Sequence, residues 1–321
     1  MRQIAILKLC TPQEKAFLSS AASQEDTLLY FDSEQDLLTC PSLAQIDVVF
    51  GEPSFATVLS MPALRWIQMS WAGANKYTSE PEFPSHITLT SASGVFGGVI
   101  SEHVLAGILA LYKNLPTYRK QLHSGGWQLL SGDDTLENKR ALILGTGNIG
   151  QETAKKLRAF AVHTMGLSRT QHQAVSFFDE ICTIHALDTQ LPLADIVIIA
   201  LPGTAETRGL FSAERIRLMK PGAVFVNVGR GFIADTEALT EALEKGHLRG
   251  AVLDVTDPEP LPAEHPLRFL DNVILTPHVS GISWGENTFT RSRILEIFRE
   301  NLHRDTNSLP LRNIIDLQLG Y

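Results

Sequence analysis

The stretch "RALILGTGNIGQETAKKLRAF", residues 140–160, joins an apolar run to a glycine-rich turn and a helix-like segment. Gly145, Gly147 and Gly150 stand in GxGxxG spacing directly after the apolar run. In a strand–turn–helix unit the first glycine permits a tight turn, the second lets a diphosphate approach the main chain, and the third allows close helix packing. The phosphates then lie on N–H groups at the helix N-terminus. The stretch therefore predicts a dinucleotide-binding βαβ unit.

Apolar runs of strand length recur on both sides of this stretch. In the first 91 residues they are "IAILKL", "IDVVFG", "LRWIQM" and "ITLTS"; from residue 140 onward they are "RALILG", "VHTMGL", "DIVIIA", "AVFVNV", "GAVLDV" and "NVILTP". Continuous apolar strands alternating with helix-length segments are typical of parallel sheets covered by helices on both faces. We predict an α/β chain with two Rossmann-like domains, each a doubly wound parallel sheet, and an active-site cleft between them.

Two helices are expected at the joins between the two series of strands. One covers Ile100–Leu115 and is ended by Pro116, and the other covers about Glu286–His303. The tail after the second helix is too short to be a domain, so it is expected to pack on the first one. This predicts a discontinuous substrate-binding domain of residues 1–97 and 288–321, with an NAD(P)-binding domain of residues 98–287.

Composition argues against several classes of function. The net charge of −8 is spread along 321 residues without a Lys/Arg-rich block, so nucleic acid is not an expected partner. The longest apolar stretch, Val104–Leu111, is too short to span a bilayer, and "MRQIAILKLC" shows no signal-peptide cleavage site, so we expect a cytoplasmic protein without a membrane partner. Cys10, Cys40 and Cys182 lack CxxC spacing, and neither a metal site nor a disulfide framework is expected.

The segment "MGLSRT", residues 165–170, predicts the choice of cofactor. A site for NAD usually carries Asp or Glu about 20 residues past the glycines, where Ser168 stands here. Arg169 can bind a ribose 2′-phosphate, with Ser168 and Thr170 donating hydroxyl hydrogen bonds. This pattern predicts NADP(H) as the preferred cofactor and leaves NAD(H) open. The alternative is an exposed turn in which the arginine has no special role.

Three reactive side chains follow the ends of the last three predicted strands. Arg230, Glu259 and His278 should converge, because the carboxyl ends of parallel strands face the ligand crevice of a doubly wound sheet. Arg230 would hold a 2-keto acid, and His278, kept protonated by Glu259, would give a proton to the keto oxygen as hydride reaches the carbon. Taken singly, each residue has an ordinary alternative: a surface turn, a loop carboxylate or a structural histidine.

With these residues in place, the chain resembles the D-isomer-specific 2-hydroxyacid dehydrogenases over nearly its whole length. The resemblance rests on "LGTGNIG" at 144–150, "LPGTAETRGLF" at 201–211, "LMKPGAVFVNVGRG" at 218–231, "LDVTDPEPLP" at 253–262 and "TPHVSG" at 276–281. It implies that Arg230, Glu259 and His278 are the catalytic residues. It also implies that Asp254 binds the nicotinamide carboxamide.

The same resemblance implies further site residues. The loop "SWAGAN", residues 70–75, would bind the substrate carboxylate through the main-chain N–H groups of Ala72 and Gly73. Trp71 and Trp284 are candidates for shaping the substrate pocket, or else ordinary packing residues. The implied cofactor-lining residues, beyond those already named, are Val99, Asn148, Ile149, Leu201, Pro202, Thr207, Val228 and Gly281.

Within the family, the Ser-Arg-Thr turn is similar to that of the NADP-preferring glyoxylate and hydroxypyruvate reductases. This implies reduction of a small 2-keto acid to the D-2-hydroxy acid by a homodimer, with "LHSGGWQLL" at 122–130 as a contact arm. Formate dehydrogenases carry Gln where this chain has Glu259, which argues against that activity. Two alternatives stay open: a reductase of bulkier acids, such as ketopantoate or branched-chain 2-keto acids, and a cofactor-sensing binding protein like the C-terminal-binding-protein co-repressors.

Overall fold

Parallel pairing organises all twelve strands of the computed structural model, which describes residues 2–170, 177–281 and 288–321. The strands are β1 (Arg2–Ile6), β2 (Asp26–Tyr30), β3 (Ile46–Phe50), β4 (Trp66–Gln68), β5 (Thr88–Thr90), β6 (Arg140–Leu144), β7 (His163–Ser168), β8 (Glu180–Thr183), β9 (Ile196–Ile199), β10 (Val224–Asn227), β11 (Gly250–Leu253) and β12 (Val273–Leu275).

Helices connect most of these strands. They are α1 (Pro12–Ser19), α2 (Glu34–Leu38), α3 (Phe55–Leu59), α4 (Asn75–Thr78), α5 (Gly97–Tyr112), α6 (Leu115–His123), α7 (Asn148–Arg158), α8 (Leu187–Gln190), α9 (Ala213–Leu218), α10 (Thr236–Glu244) and α11 (Thr288–Thr306). None of these described helices is both long and apolar enough to cross a membrane.

The chain divides into two compact units. Unit 1 comprises Met1–Val95 and Ile282–Tyr321, and unit 2 comprises Phe96–Gly281. Each unit contains one of the two sheets, so each has its own buried core.

Unit 1 is a five-stranded sheet in the order β2-β1-β3-β4-β5, with α11 packed against it. Phe298 of α11 is fully buried, and its ring stacks on Phe50 of β3 at a centroid distance of 4.4 Å. The Asn301 side-chain amide donates to Gln68 Oε1 at 2.8 Å, and both residues are buried. A buried polar pair of this kind helps to fix the position of the helix on the sheet, because buried hydrogen-bonding groups must find their partners within the protein.

Unit 2 is a seven-stranded sheet in the order β12-β11-β10-β9-β6-β7-β8. The residues of β9, β10 and β11 are all buried, as expected for strands with helices on both faces. The chain runs outward from β6 to β8 and then returns to β9 beside β6, so the direction of winding reverses between these two strands. Such a reversal opens a crevice at the carboxyl ends of the strands, where ligands bind.

The predicted α/β class with two parallel sheets is confirmed. Two strands were not anticipated, β2 and β8, and each lies at an edge of its sheet. Edge strands are partly exposed and mix polar with apolar residues, so neither "DTLLY" nor "EICT" has the continuous apolar run of a central strand.

The helix predicted at Ile100–Leu115 is present but has different bounds, and Pro116 does not end it. Helix α5 starts at Gly97 and ends at Tyr112, and Asn114 has a left-handed backbone conformation with φ +51°. Pro116 lies in the first turn of the next helix, where its missing N–H leaves no hydrogen bond unmade, so it helps to begin α6 instead of ending α5.

Candidate active site

The glycine turn after β6 has the shape that a diphosphate requires. Gly145 has φ +104°, and a Cβ there would lie 2.5 Å from the carbonyl oxygen of Ala200 at the end of β9. A Cβ on Gly150 would lie 1.9 Å from the carbonyl oxygen of Gly145, whereas a Cβ on Gly147 would face open space. Helix α7 begins directly after Gly147, so its N-terminus faces the open side of the turn. These residues fit the diphosphate of a dinucleotide.

Helix α5 contacts the start of α7 through the side chain of Asn148. Its Oδ1 accepts a hydrogen bond from the Gly97 N–H at 2.8 Å. Val99 follows on α5 and is half-buried, as is Ile149. The Asn148 side chain therefore joins the glycine turn to the beginning of α5.

The turn after β7 presents Arg169 and Thr170 to solvent, whereas Ser168 is buried. The Ser168 hydroxyl donates to the Thr170 carbonyl oxygen at 2.6 Å. The Ser168 hydroxyl proton therefore stabilises the turn, whereas we predicted from the sequence that it would bond to the ribose 2′-phosphate. Hydrogen bonding by Thr204 lowers the pKa of Glu206, and the charge of Arg169 lowers it more weakly.

The loop after β9 closes on itself through Thr207. The Thr204 N–H donates to Thr207 Oγ1 at 2.8 Å, and that hydroxyl donates to the Pro202 carbonyl at 2.9 Å. Leu201 is half-buried at the start of this loop. At the end of the neighbouring strand β10, the Val228 N–H donates to the Ile199 carbonyl at 3.2 Å. This bond holds the turn after β10 beside β9.

Arg230 follows β10 in a turn built by Asn227. The Asn227 amide donates to the Arg230 carbonyl at 2.9 Å, and Asn227 Oδ1 accepts from the Gly229 N–H at 3.0 Å. Burial lowers the pKa of the Arg230 guanidinium, and the negative charge of Glu259 partly opposes this effect. Arg230 therefore lies within electrostatic range of Glu259, and as an arginine it stays charged at neutral pH.

Glu259 and His278 form a direct pair. His278 Nδ1 lies 2.7 Å from Glu259 Oε1, and both side chains are about half-exposed. His278 has φ +55°, a conformation that costs free energy in a residue other than glycine and often marks functional sites. The pair lies on a cavity of about 480 Å³ whose other lining residues are Asp254, Thr256, Pro260, Leu261, Arg268, Leu275, Thr276 and Pro277.

Asp254 holds the loop that carries His278. Its carboxylate accepts four hydrogen bonds: from the Thr276 hydroxyl at 2.6 Å, the Val279 N–H at 2.9 Å, and the N–H and hydroxyl of Ser280 at 3.0 and 2.5 Å. The His278 N–H also donates to the Asp254 carbonyl at 2.8 Å. Burial acts to raise the pKa of Asp254, but the hydrogen bonds from Ser280 and Thr276 outweigh it and lower the pKa overall.

These four bonds occupy the acceptor positions of a carboxylate. The geometry therefore gives Asp254 a positioning role toward His278, and its contact with a nicotinamide carboxamide stays a prediction. Gly281, half-buried, ends the same loop, and a Cβ there would meet Ile100 of α5 at 3.1 Å.

In unit 1, the "SWAGAN" loop lies between β4 and α4. The Trp71 carbonyl accepts from the Ala92 N–H at 2.8 Å, while the Trp71 side chain is 41% exposed. Ala72 and Gly73 are half-buried, and within the described residues their N–H groups have no hydrogen-bond acceptor. Two adjacent N–H groups of this kind can bind an anion. Trp284, the other pocket candidate, lies outside the described residues.

Sequence reasoning missed several residues that hold the site. Asn227 ends an otherwise apolar strand, and a polar residue in such a run was the available signal. Thr276 connects Asp254 to His103 of α5, whose Nε2 lies 3.2 Å from the Thr276 hydroxyl. Because that hydroxyl gives its proton to Asp254, His103 Nε2 acts as the donor. No sequence pattern connects these residues, which are far apart in the chain.

The chain is similar to known proteins in both sequence and structure. Residues 105–280 match the family described as "D-isomer specific 2-hydroxyacid dehydrogenase, NAD binding domain". A glyoxylate reductase of Thermofilum pendens is 36% identical over 222 residues, which cover 67% of this chain and 64% of that protein.

Two solved structures are similar over almost the whole chain. A D-isomer specific 2-hydroxyacid dehydrogenase family protein from Aeromonas salmonicida has a TM-score of 0.87 and 32% identity, covering 98% of this chain and 99% of that one. An NADPH-dependent glyoxylate/hydroxypyruvate reductase from Sinorhizobium meliloti, solved with NADP and sulfate, has a TM-score of 0.85 and 25% identity, covering 100% of both chains.

Replacement of Asp254 by Asn tests the positioning role. We expect Asp254→Asn to lower the free energy of unfolding by about 2–3 kcal/mol at pH 7, because a buried charged acceptor is lost. The Asp254 pKa is lowered in the folded state, so its contribution is present above the unfolded-state pKa and is lost as the pH falls through the folded value.

The difference between Asp254→Asn and the wild type, measured by urea unfolding, should be constant from pH 7 to 5. It should shrink below about pH 4. A difference that stays the same down to pH 3 would contradict the role of the ionised carboxylate.

Proposed function

Because the chain belongs to the D-isomer-specific 2-hydroxyacid dehydrogenase family, we propose that it reduces a small 2-keto acid of the glyoxylate or hydroxypyruvate type to the D-2-hydroxy acid with NADPH. The observation that carries this proposal is the 2.7 Å pair of His278 and Glu259, with Arg230 within electrostatic range of Glu259. Similarity to a glyoxylate reductase and to an NADPH-dependent glyoxylate/hydroxypyruvate reductase supports the choice of substrate and cofactor. In this proposal unit 2 binds the cofactor and unit 1 binds substrate.

His278 is the proposed general acid. Its Nδ1 faces Glu259, so the proton available for transfer is the one on Nε2. Glu259 stabilises the imidazolium and fixes the plane of the ring. The bound cofactor supplies a hydride to the keto carbon. His278 Nε2 then gives its proton to the keto oxygen, which becomes the hydroxyl group of the 2-hydroxy acid.

Arg230 and the unit 1 loop are proposed to bind the substrate. A partly buried guanidinium is a strong partner for a keto oxygen and a carboxylate, because fewer water molecules compete with it than at the open surface. The N–H groups of Ala72 and Gly73 are proposed to bind the carboxylate, and Trp71 is proposed to limit the size of the substrate side chain.

The proposed preference for NADPH rests on Arg169. It is exposed at the end of β7, where an acidic residue would repel a 2′-phosphate. Thr170 is exposed beside it, and Ser168 stabilises the turn that presents both. Gly145, Gly147 and Gly150 would hold the diphosphate, and Asn148 and Ile149 follow at the N-terminus of α7.

We also propose that the protein is a homodimer. In the predicted contact arm, Trp127 is 88% exposed and Leu129 is 92% exposed. With Leu122 and Tyr118 they line a surface groove of about 370 Å³. Large apolar side chains with this exposure are costly in water, and burial against a second copy of the chain would remove the cost.

Replacement of His278 tests the mechanism. We expect His278→Gln to lower kcat with glyoxylate by about 10²–10⁴-fold, the range of general acid catalysis, with little change in the Kd for NADPH measured by fluorescence. His163→Gln is a matched control, because His163 forms a 3.3 Å pair with Glu180 at similar exposure elsewhere in unit 2. A His278→Gln enzyme within threefold of wild type would exclude His278 as the proton donor.

Charge reversal at Arg169 tests the cofactor preference. We expect Arg169→Asp to lower kcat/KM for NADPH by about 10- to 100-fold and that for NADH far less, since one charge-assisted hydrogen bond is lost. Arg217→Asp makes the same charge change at an exposed position of α9 and should affect both cofactors equally. Equal losses of kcat/KM for NADPH and NADH in Arg169→Asp would show that the turn has no role in the choice of cofactor.

Light scattering tests the dimer. The wild type should have twice the chain mass of 35.3 kDa, and Trp127→Asp should shift it toward the monomer, because a charge is unfavourable in an apolar interface. Phe269→Asp is the control, since Phe269 is also exposed in unit 2 but lies outside the arm. A wild-type monomer at every concentration would rule out the arm as an interface.

A further inference from the structure

A buried ion pair lies at the carboxyl ends of two neighbouring strands of unit 1. Lys8 follows β1 and Glu52 follows β3, and Lys8 Nζ lies 2.5 Å from Glu52 Oε2. The two side chains are 14% and 5% exposed. Two charged groups that are mostly shielded from water are stable only when they are paired and hydrogen-bonded. The pair therefore has a fixed position at the carboxyl ends of these strands.

The second oxygen of Glu52 holds the start of the "SWAGAN" loop. Glu52 Oε1 accepts from the Ser70 N–H at 2.6 Å and from the Ser70 hydroxyl at 2.9 Å, and Ser70 is fully buried. Ser70 directly precedes Trp71, Ala72 and Gly73. Hydrogen bonds to a carboxylate are about twice as strong as those between neutral groups, so the main chain enters the loop from a fixed point.

Glu52 also holds the far side of the loop. Its carbonyl oxygen accepts from Lys76 Nζ at 2.6 Å, and Lys76 lies in α4, which follows the loop. The neighbouring Pro53 carbonyl accepts from the hydroxyl of the buried Tyr77 at 2.8 Å. The segment after β3 therefore contacts the chain both before and after Ala72 and Gly73.

Lys8 extends this arrangement to a side chain of the loop. Its ammonium lies 5.9 Å from the centre of the Trp71 ring, within the range of a cation–π interaction. The cation that neutralises Glu52 thus also contacts the exposed indole.

We propose that Lys8 and Glu52 are positioning residues for the substrate loop, setting the direction of the Ala72 and Gly73 N–H groups and the location of Trp71. The proposal rests on the proposed function in one respect, namely that this loop binds the carboxylate of a 2-keto acid. Neither Lys8 nor Glu52 is assigned a contact with substrate. Their effect is on the geometry of the groups that bind the substrate carboxylate, so we expect it in the KM for substrate and not in kcat.

Glu52→Gln and Lys8→Met test the proposal, because each removes one charge of the pair. We expect either change to raise the KM for glyoxylate by about tenfold or more, with kcat within about threefold of wild type and an unchanged Kd for NADPH. Amide hydrogen exchange at Ala92, whose N–H donates to the Trp71 carbonyl at 2.8 Å, should become faster in both variants, since the entry to the loop is no longer fixed.

Asp26→Asn is the matched control. Asp26 pairs with Arg2 at 2.5 Å, at 1% and 16% exposure, at the opposite end of the same sheet. This variant should lower the Tm, but its KM and its exchange at Ala92 should match the wild type.

The two proposals fail in different ways. If the wild type reduces no 2-keto acid, the proposed function is wrong, and the exchange comparison alone decides the positioning role. Faster exchange at Ala92 in Glu52→Gln and not in Asp26→Asn supports that role. Wild-type exchange in both Lys8→Met and Glu52→Gln overturns it, as does an equal increase in Asp26→Asn.

Discussion

Burial of the central strands on both faces determines where this chain can have charged and reactive side chains. The residues of β9, β10 and β11 are all buried, and a charged side chain pointing from any of them would lose its hydration without compensation. Polar groups are therefore concentrated just beyond the strand ends. Arg230 after β10 and Asp254 after β11 follow this rule in unit 2, as Lys8 and Glu52 do in unit 1.

Groups at strand ends lie on loops, so they need support to stay in place. In unit 2 the support is the Asp254 carboxylate, which satisfies the hydrogen-bonding groups of Thr276, Val279 and Ser280 and so fixes the loop that carries His278. In unit 1 the Glu52 carboxylate holds Ser70 in a similar way. In both cases a buried anion that accepts several hydrogen bonds gives a loop the rigidity of the sheet next to it.

The sequence predicted those parts of the molecule that depend on local pattern. Ten strands, the glycine turn and the order of Arg230, Glu259 and His278 could be read from apolar runs and motif spacing, whereas the edge strands β2 and β8 could not, because exposure weakens their pattern. Contacts between residues that are distant in the chain, such as that of Ser70 with Glu52, could not be predicted either, because no local sequence pattern connects them. Ser168 is an example: the sequence predicted a hydrogen bond from its hydroxyl to a 2′-phosphate, whereas the hydroxyl donates to the Thr170 carbonyl of its own turn.

The measurement that most directly tests the account is a steady-state comparison of NADPH and NADH with the wild-type protein over a panel of 2-keto acids. The panel should contain glyoxylate, hydroxypyruvate, ketopantoate and a branched-chain 2-keto acid, with the chirality determined for every product except the achiral glycolate. We expect the highest kcat/KM for NADPH with glyoxylate or hydroxypyruvate, and D-glycerate as the product from hydroxypyruvate. Tight binding of NADPH without turnover of any 2-keto acid would contradict this expectation and favour a cofactor-sensing binding protein.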